Sequence, residues 1–255
     1  MVQAVRERGA EPAFVGVVRG KPVIGIPESV LAELAESGRK LSTRDLPVAA
    51  ARGESGGTTV AATLFLAHRA GAEVAATGGI GGVHPGGARF DESADLGELG
   101  RTPMTLVCSG AKAILDLPAT MERLDTLGVT VLGFGTDELP AFWSAESGLP
   151  LADTVADAKE VAAVTREARV LGLRGAVLVC VPPPADTALP REESDRAVER
   201  ALEEAQALGI AGASLTPFLL ARVAEITEGR SLRANVALLE NNAAIAAEIA
   251  VAAAG

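Results

Sequence analysis

Met104-Thr105-Leu106-Val107-Cys108-Ser109-Gly110-Ala111-Lys112-Ala113 carries an apolar strand into a glycine turn and then a lysine. Short apolar runs of the same kind recur at 13–19, 22–26, 72–77, 129–132 and 175–181. The first two turn on Gly20-Lys21. Amphipathic stretches at 27–37, 58–71, 154–171, 191–208, 217–228 and 232–253 have helical periodicity. Strand-length runs alternating with helices predict an α/β fold. Met1 to Arg8 reads as the last two turns of a helix, closed by Gly9 and without an N-cap. No repeat, low-complexity linker or composition break divides the 255 residues, so a single domain over 1–255 is expected.

Bulk composition narrows the function classes. The formal charge of −10 argues against a broad nucleic-acid footprint, although a local basic cluster can still bind a small anion. Cys108 and Cys180 each sit in an apolar run and read as small buried hydrophobes rather than a disulfide framework, which points to a reducing compartment. The N-terminus has no signal-peptide pattern, and no apolar stretch is expected to reach the ~18 residues of a membrane span. A soluble, cytoplasmic protein without nucleic-acid or membrane partners is the expectation.

The cations are unevenly chosen. Only Lys21, Lys40, Lys112 and Lys159 stand beside nineteen arginines. A desolvated amine can lose its proton and attack a carbonyl, which a guanidinium cannot do. Chance retention explains Lys21, in a turn, and Lys159, in a polar helix. It explains Lys112, directly after a strand, least well.

Three further segments have the chemistry of a site. Gly56-Gly57-Thr58-Thr59 opens an apolar helix, and is either a plain N-cap or a seat for phosphate. Gly78-Gly79-Ile80-Gly81-Gly82-Val83-His84 follows a strand but fails the dinucleotide pattern, because His84 stands where glycine is needed. Gly110-Ala111-Lys112 is followed by Ala113, so it is no P-loop. These failures count against a nucleotide-dependent kinase or dehydrogenase. In Phe90-Asp91-Glu92-Ser93-Ala94-Asp95-Leu96 the two aspartates would share a face if a helix starts there. They would then either cap the helix or hold Mg²⁺ or Mn²⁺ through waters with Ser93. His84 reads as a general acid, a ligand or a loop residue; His68, in an apolar helix, reads as structural.

Taken in order, these strings resemble the pseudouridine-5′-phosphate glycosidase family, which includes the indigoidine synthase A-like proteins. The resembling segments are Thr43-Arg44-Asp45-Leu46-Pro47, Gly57-Thr58-Thr59-Val60-Ala61, Ala76 to His84, Asp91 to Leu96 and Cys108 to Asp116. Leu139-Pro140-Ala141-Phe142, Thr216 to Leu220 and Asn241-Asn242-Ala243 extend the likeness across the chain. The resemblance implies a three-layer α/β/α fold around a central mixed, largely parallel sheet, in a homotrimer using Mn²⁺ or another hard divalent cation. It implies reversible cleavage of the C–C glycosidic bond of pseudouridine 5′-phosphate to uracil and ribose 5-phosphate. Lys112 would be the catalytic nucleophile, forming an imine with the opened sugar, and Asp91 the metal ligand. Lys40, Val60, Ser93, Ala94 and Asp95 would contact substrate, with Thr77, His84 and Asn235 in or near the pocket.

A carbon-linked base has no easy exit, and an iminium at the sugar carbon supplies the missing electron sink, which requires an amine. A free amine near neutral pH needs its pKa lowered from about 10.4, by burial and by a second cation such as Lys40. The family pattern also places a further strand and an acid-bearing Glu loop before the first residues here, and Glu28 does not match that Glu. The resemblance thus reads the chain as an N-terminally truncated member. The alternative function is a weakly active or non-catalytic sugar-phosphate-binding relative.

Overall fold

The computed structural model describes residues 1–36, 38–86, 91–210 and 212–255. Ser37, where the helix over 27–37 is expected to end, and Phe90, at the head of the acidic run, lie outside the described residues.

A short helix, α1 (Val2–Arg6), precedes the hairpin of β1 (Val15–Val18) and β2 (Lys21–Ile24). The hairpin turns through Arg19-Gly20, both at positive φ (49° and 76°), the backbone that matches the twist of a two-residue connection. A Cβ on Gly20 would lie 2.8 Å from the Ala50 carbonyl oxygen, so the turn also needs glycine for space. Then come α2 (Glu28–Glu36), β3 (Lys40–Leu41), a 3₁₀ turn (Thr43–Asp45), α3 (Leu46–Arg52), β4 (Gly56–Thr58) and α4 (Val60–Arg69). The four strands form one sheet in the order β2-β1-β4-β3, antiparallel except for β3 with β4.

The second sheet begins with β5 (Val74–Ala76) and continues through α5 (Ala94–Leu99), β6 (Thr105–Cys108), α6 (Leu117–Thr126) and β7 (Thr130–Phe134). It ends with β8 (Thr154–Val155), α7 (Ala158–Val170) and β9 (Val177–Cys180). The order is β5-β6-β9-β7-β8 and every pair is parallel. The helices α8 (Arg191–Ala207), α9 (Leu215–Ile226) and α10 (Arg230–Ala254) complete the chain.

The layers follow from the strand period of two. All residues of β6 and β9 are buried, as a parallel sheet covered on both faces requires. Leu106, Cys108, Leu178 and Cys180 face one way, onto Leu64, Leu96, Leu99, Leu124, Leu219 and Val223 of α4, α5, α6 and α9. Val107, Val177 and Val179 face the other way, onto Val161 of α7 and Ala246 and Ile249 of α10. Each such side chain contributes about 1.5–3 kcal/mol on burial, and the sum makes this sheet the rigid platform. The expected α/β/α layering is therefore present. Its mixed character belongs to the separate four-stranded sheet, because the β1–β2 hairpin pairs with Gly56-Gly57 rather than with the parallel strands.

Several sequence expectations shift. Helix α4 starts at Val60, not Thr58, because Gly56–Thr58 are spent on β4 and Thr59 is the N-cap, its hydroxyl accepting from Ala62 N–H. Residues 154–155 extend the sheet edge as β8, and Asp157 caps α7 by accepting from Lys159 and Glu160 N–H. Helix α10, at 25 residues, is long and apolar enough by composition to cross a membrane, which corrects the expectation that no stretch reaches that length. It nevertheless buries Ser231, Ala234, Leu238, Asn242, Ala246 and Ile249 within the fold and packs on β5, β6 and α7. Arg8 Nε reaches Glu248 Oε1 at 3.1 Å, so the segment after α1 is tied to α10.

Candidate active site

Lys112 lies just beyond the carboxyl end of β6, where ligands of open parallel sheets usually sit. After Cys108 the chain turns at Gly110, whose φ is +75° and whose missing Cβ would overlap the Pro140 carbonyl oxygen. The glycine run after β5 follows the same course. Ser109 N–H donates to Gly78 O at 2.8 Å, Ile80 N–H to Gly110 O at 3.1 Å and Lys112 N–H to Ile80 O at 3.1 Å. The two loops thus prolong the β5–β6 pairing and fix the Lys112 backbone. Burial is the main force lowering the pKa of its ammonium, and the positive charge of Lys40 adds to it; the Asp95 carboxylate opposes both. The net shift is downward, toward a free amine. Lys40 is on β3, paired with Gly57, and is exposed. The smaller sheet therefore brings a second cation to the end of the larger one.

Asp95 is 5% exposed, and both carboxylate oxygens are engaged. Oδ1 accepts from Ala61 N–H and Oδ2 from Gly81 N–H, each at 2.9 Å. Ser93 is the N-cap of α5, its hydroxyl accepting from Asp95 N–H at 3.2 Å, and Ala94 is exposed beside it. A Cβ on Gly81 would overlap the Ser93 hydroxyl and lie 2.9 Å from Asp95 Oδ2, so glycine is required for this approach.

Asp91 stands outside α5, which corrects the expectation that it shares a helix face with Asp95. Its Oδ1 lies 3.0 Å from His84 Nδ1, poorly aligned for a hydrogen bond, and His84 N–H donates to its carbonyl at 3.0 Å. Among the described residues no group of three or more His, Cys, Asp or Glu side chains could enclose a metal. Asp91, with its side chain 44% exposed, fits a largely hydrated ion held through one carboxylate and a substrate phosphate, as Mg²⁺-like cations are commonly held. Asp95, committed to two amides, does not fit as a second ligand.

Thr77 closes β5, its N–H donating to Val107 O at 2.9 Å. Asn235 on α10 is partly buried, with its Oδ1 3.3 Å from where a Cβ on Gly78 would sit. A cavity of about 90 Å³ between α4 and β5 is lined by Thr58, Val60, Thr63, Leu64, Ala75, Ala76, Thr77 and Leu106. It groups Val60 with Thr77 but does not include Lys112, and it is smaller than the roughly 300 Å³ of an ordinary ligand pocket. Of the two readings of Gly56–Thr59, the structure bears out the plain N-cap, with Thr59 capping α4 and Gly56–Thr58 forming β4. Gly57 N–H donates to Arg39 O, Thr58 Oγ1 to Val15 O, and Thr59 N–H to Leu41 O.

Two residues at this sheet end had no role in the sequence reading. Asn242, fully buried on α10, donates through Nδ2 to Thr77 O at 2.9 Å and to Ser109 Oγ at 3.1 Å. It joins the ends of β5 and β6. Its signal is a polar residue on the buried stripe Leu238, Asn242, Ala246 and Ile249. Phe142 holds an unusual φ of +60°, donates its N–H to Ser109 O at 2.9 Å, and would meet a Cβ on Gly79 at 2.7 Å. In the sequence only its place at the end of the resembling segment Leu139-Pro140-Ala141-Phe142 marks it.

The comparisons with known proteins agree. The family model described as indigoidine synthase A like protein matches residues 1–252. A pseudouridine-5′-phosphate glycosidase of Gemmatimonas aurantiaca is 52% identical over 254 residues, 99% of this chain and 83% of that protein. One of Paracoccus denitrificans is 54% identical over 254 residues, 98% of this chain and 84% of that protein. An indigoidine synthase A-like protein of Thermotoga maritima superposes with a TM-score of 0.91 at 40% identity, covering 98% of this chain and 83% of the other. The prealnumycin C-glycosynthase AlnA, solved with ribulose 5-phosphate, superposes with a TM-score of 0.91 at 37% identity, covering 98% and 84%.

Proposed function

Because the chain belongs to the family of indigoidine synthase A like proteins, we propose that it breaks and forms the C–C glycosidic bond of pseudouridine 5′-phosphate, exchanging it with uracil and ribose 5-phosphate. The observation that carries this reading is the Lys112 amine: half-buried, its pKa pushed down, and pinned at the sheet end beside a second lysine. In the synthetic direction Lys112 Nζ adds to the aldehyde carbon of open-chain ribose 5-phosphate, and water leaves to give an iminium. Uracil C5 adds to that carbon, the electrons of the C=N bond return to nitrogen, and C5 gives up its proton. The O4′ hydroxyl then closes the ring on that carbon, its proton passing to the nitrogen as the C–Nζ bond breaks and Lys112 leaves as the free amine. Cleavage is the reverse, with the nitrogen lone pair expelling the base.

Lys40 supports the mechanism by holding the neighbouring ammonium toward its neutral form and by attracting a phosphate into an otherwise acidic protein. The family resemblance supports Val60, Thr77, His84, Ser93, Ala94 and Asn235 as substrate contacts, and a homotrimer in the cytoplasm as the working form. A divalent ion such as Mn²⁺, held by Asp91, would neutralise substrate charge when bound. Uracil release from pseudouridine 5′-phosphate, followed by its absorbance after chromatography, tests the proposal. Release by the wild-type chain with none by Lys112→Arg is expected; equal release by the two excludes the imine route.

A further inference from the structure

Ala141-Phe142-Trp143-Ser144, in the loop after β7, closes on itself as a hairpin turn. Ala141 N–H donates to Ser144 O at 2.9 Å and Ser144 N–H to Ala141 O at 3.3 Å. Of the two corner residues only the first, Phe142, has a positive φ, at +60°. A positive φ at the first corner alone is the type II′ form, which favours glycine there, because a bulky side chain disfavours the left-handed backbone. Here phenylalanine holds the corner, and glycine stands at the residues that the turn approaches. A Cβ on Gly79 would lie 2.7 Å from the Phe142 ring, and one on Gly110 would overlap the Pro140 carbonyl oxygen. The Phe142 side chain is buried and packs at a tilt of 55° on Trp143, with ring centroids 5.1 Å apart. Trp143 O accepts from Leu189 N–H at 2.8 Å, which ties the loop after β9 to the same corner.

We infer that Phe142 is a positioning residue for Lys112: its left-handed backbone aims an N–H at the lysine loop, while its ring fills the space that Gly79 leaves open. The inference rests on the reading of Lys112 as the imine-forming amine. Phe142 N–H donates to Ser109 O at 2.9 Å, three residues before the lysine. Ser109 N–H in turn holds Gly78 O at 2.8 Å, and Lys112 N–H holds Ile80 O at 3.1 Å. Gly79 lies between those two rungs, so the ring presses on the β5 loop at the point where the hydrogen bond grips the β6 loop. Glycine at position 142 would make the same turn more easily, yet it would leave the ring's place empty beside Gly79. A disfavoured conformation persists only where the surrounding packing over-determines it, and such residues cluster where placement matters to chemistry. Here the packing comes from the loops after β5, β6 and β9, all at the end of the sheet that carries Lys112.

Phe142→Gly keeps the turn and its N–H but removes the ring. Gly79→Ala keeps the ring but pushes a methyl group against it, and Phe142→Leu in that background gives the methyl room. Each variant is read well below its melting temperature, so that loss of fold does not enter. Two readouts are taken: the rate of borohydride-trapped adduct formation on Lys112 across ribose 5-phosphate concentration, and amide hydrogen exchange of the peptide spanning 109–112. In Phe142→Gly the plateau rate of trapping is expected to fall on the order of tenfold to a hundredfold, the usual penalty for a misplaced reacting group. The half-saturating sugar concentration should stay near wild type, and exchange at 109–112 should quicken. Gly79→Ala should lower the plateau in the same way, and adding Phe142→Leu should recover most of the loss. An undiminished plateau or unchanged exchange in Phe142→Gly overturns the inference. So does a double variant that traps no faster than Gly79→Ala alone. If Phe142→Gly does not fold, Phe142→Leu, which keeps most of the buried bulk, replaces it under the same criteria. The exchange readout needs no sugar: a wild-type chain that never traps ribose 5-phosphate counts against the proposed function, whereas unchanged exchange in Phe142→Gly counts against this inference alone.

Discussion

Asn242→Leu is expected to destabilise the protein by about 2–4 kcal/mol. Leucine keeps the branched heavy-atom skeleton of asparagine, so no cavity opens, and its greater bulk adds a modest overpacking cost in the same direction. What is lost is the Nδ2 donor to Thr77 O at 2.9 Å and Ser109 Oγ at 3.1 Å, inside a fully buried site. Each buried polar group left without its partner costs about 1–3 kcal/mol, and the added apolar burial returns part of the sum. For a chain of this size each kcal/mol lowers Tm by about 2–4 °C, so a drop on the order of 10 °C is expected. Ser109→Ala removes one of the two orphaned groups in advance. In that background Asn242→Leu should cost about 1 kcal/mol less, a coupling that a double-mutant cycle in urea resolves. A single-variant effect below about 0.5 kcal/mol, or strict additivity in the cycle, would refute the assignment of Asn242 as the tie between β5 and β6.

Two other perturbations follow from the same geometry. Gly81→Ala places a methyl group against Ser93 and Asp95, and strain of this kind usually costs about 1–3 kcal/mol; Ser93→Gly in the same chain should recover much of the loss in thermal melting. Lys112→Met should be more stable than wild type near neutral pH, because the fold disfavours the ammonium. With the folded pKa of Lys112 below its unfolded value, the unfolded chain binds more protons in the window between them, so wild-type stability rises with pH there. The advantage of Lys112→Met should accordingly be full below the folded pKa and shrink as pH climbs toward the ordinary lysine range. A gap that is constant or widens with pH in urea titrations contradicts the downward shift.

The parallel sheet was legible because its strands are local apolar runs: β6 and β9 are buried residue by residue, and the sequence marks them as continuous Val, Leu and Cys. Gly56–Thr58 carried no such mark. It becomes a strand only because β1 and β3 lie on either side of it, contacts distant in sequence that local propensity does not encode. Residues 117–126 also escaped notice as a helix, although Asp116 caps it and Pro118 sits in the first turn, where proline is tolerated. At the site, Lys112 stood out through the scarcity of lysine, and its partial burial fits that reading. Asp91 and Asp95 were paired by spacing alone, and the fold separates them: one lies before the helix near His84, while the other turns inward to hold two backbone amides. Which oxygen faces which amide depends on the meeting of α4, α5 and the glycine run, and the sequence contains no local trace of that meeting.

Incubation of the protein with ribose 5-phosphate and sodium borohydride, followed by peptide mass mapping, puts the amine to the test without requiring the whole reaction to turn over. The account predicts one reduced sugar-phosphate adduct, on Lys112, with Lys21, Lys40 and Lys159 unmodified. An unmodified Lys112, or an adduct carried by Lys40 instead, contradicts it.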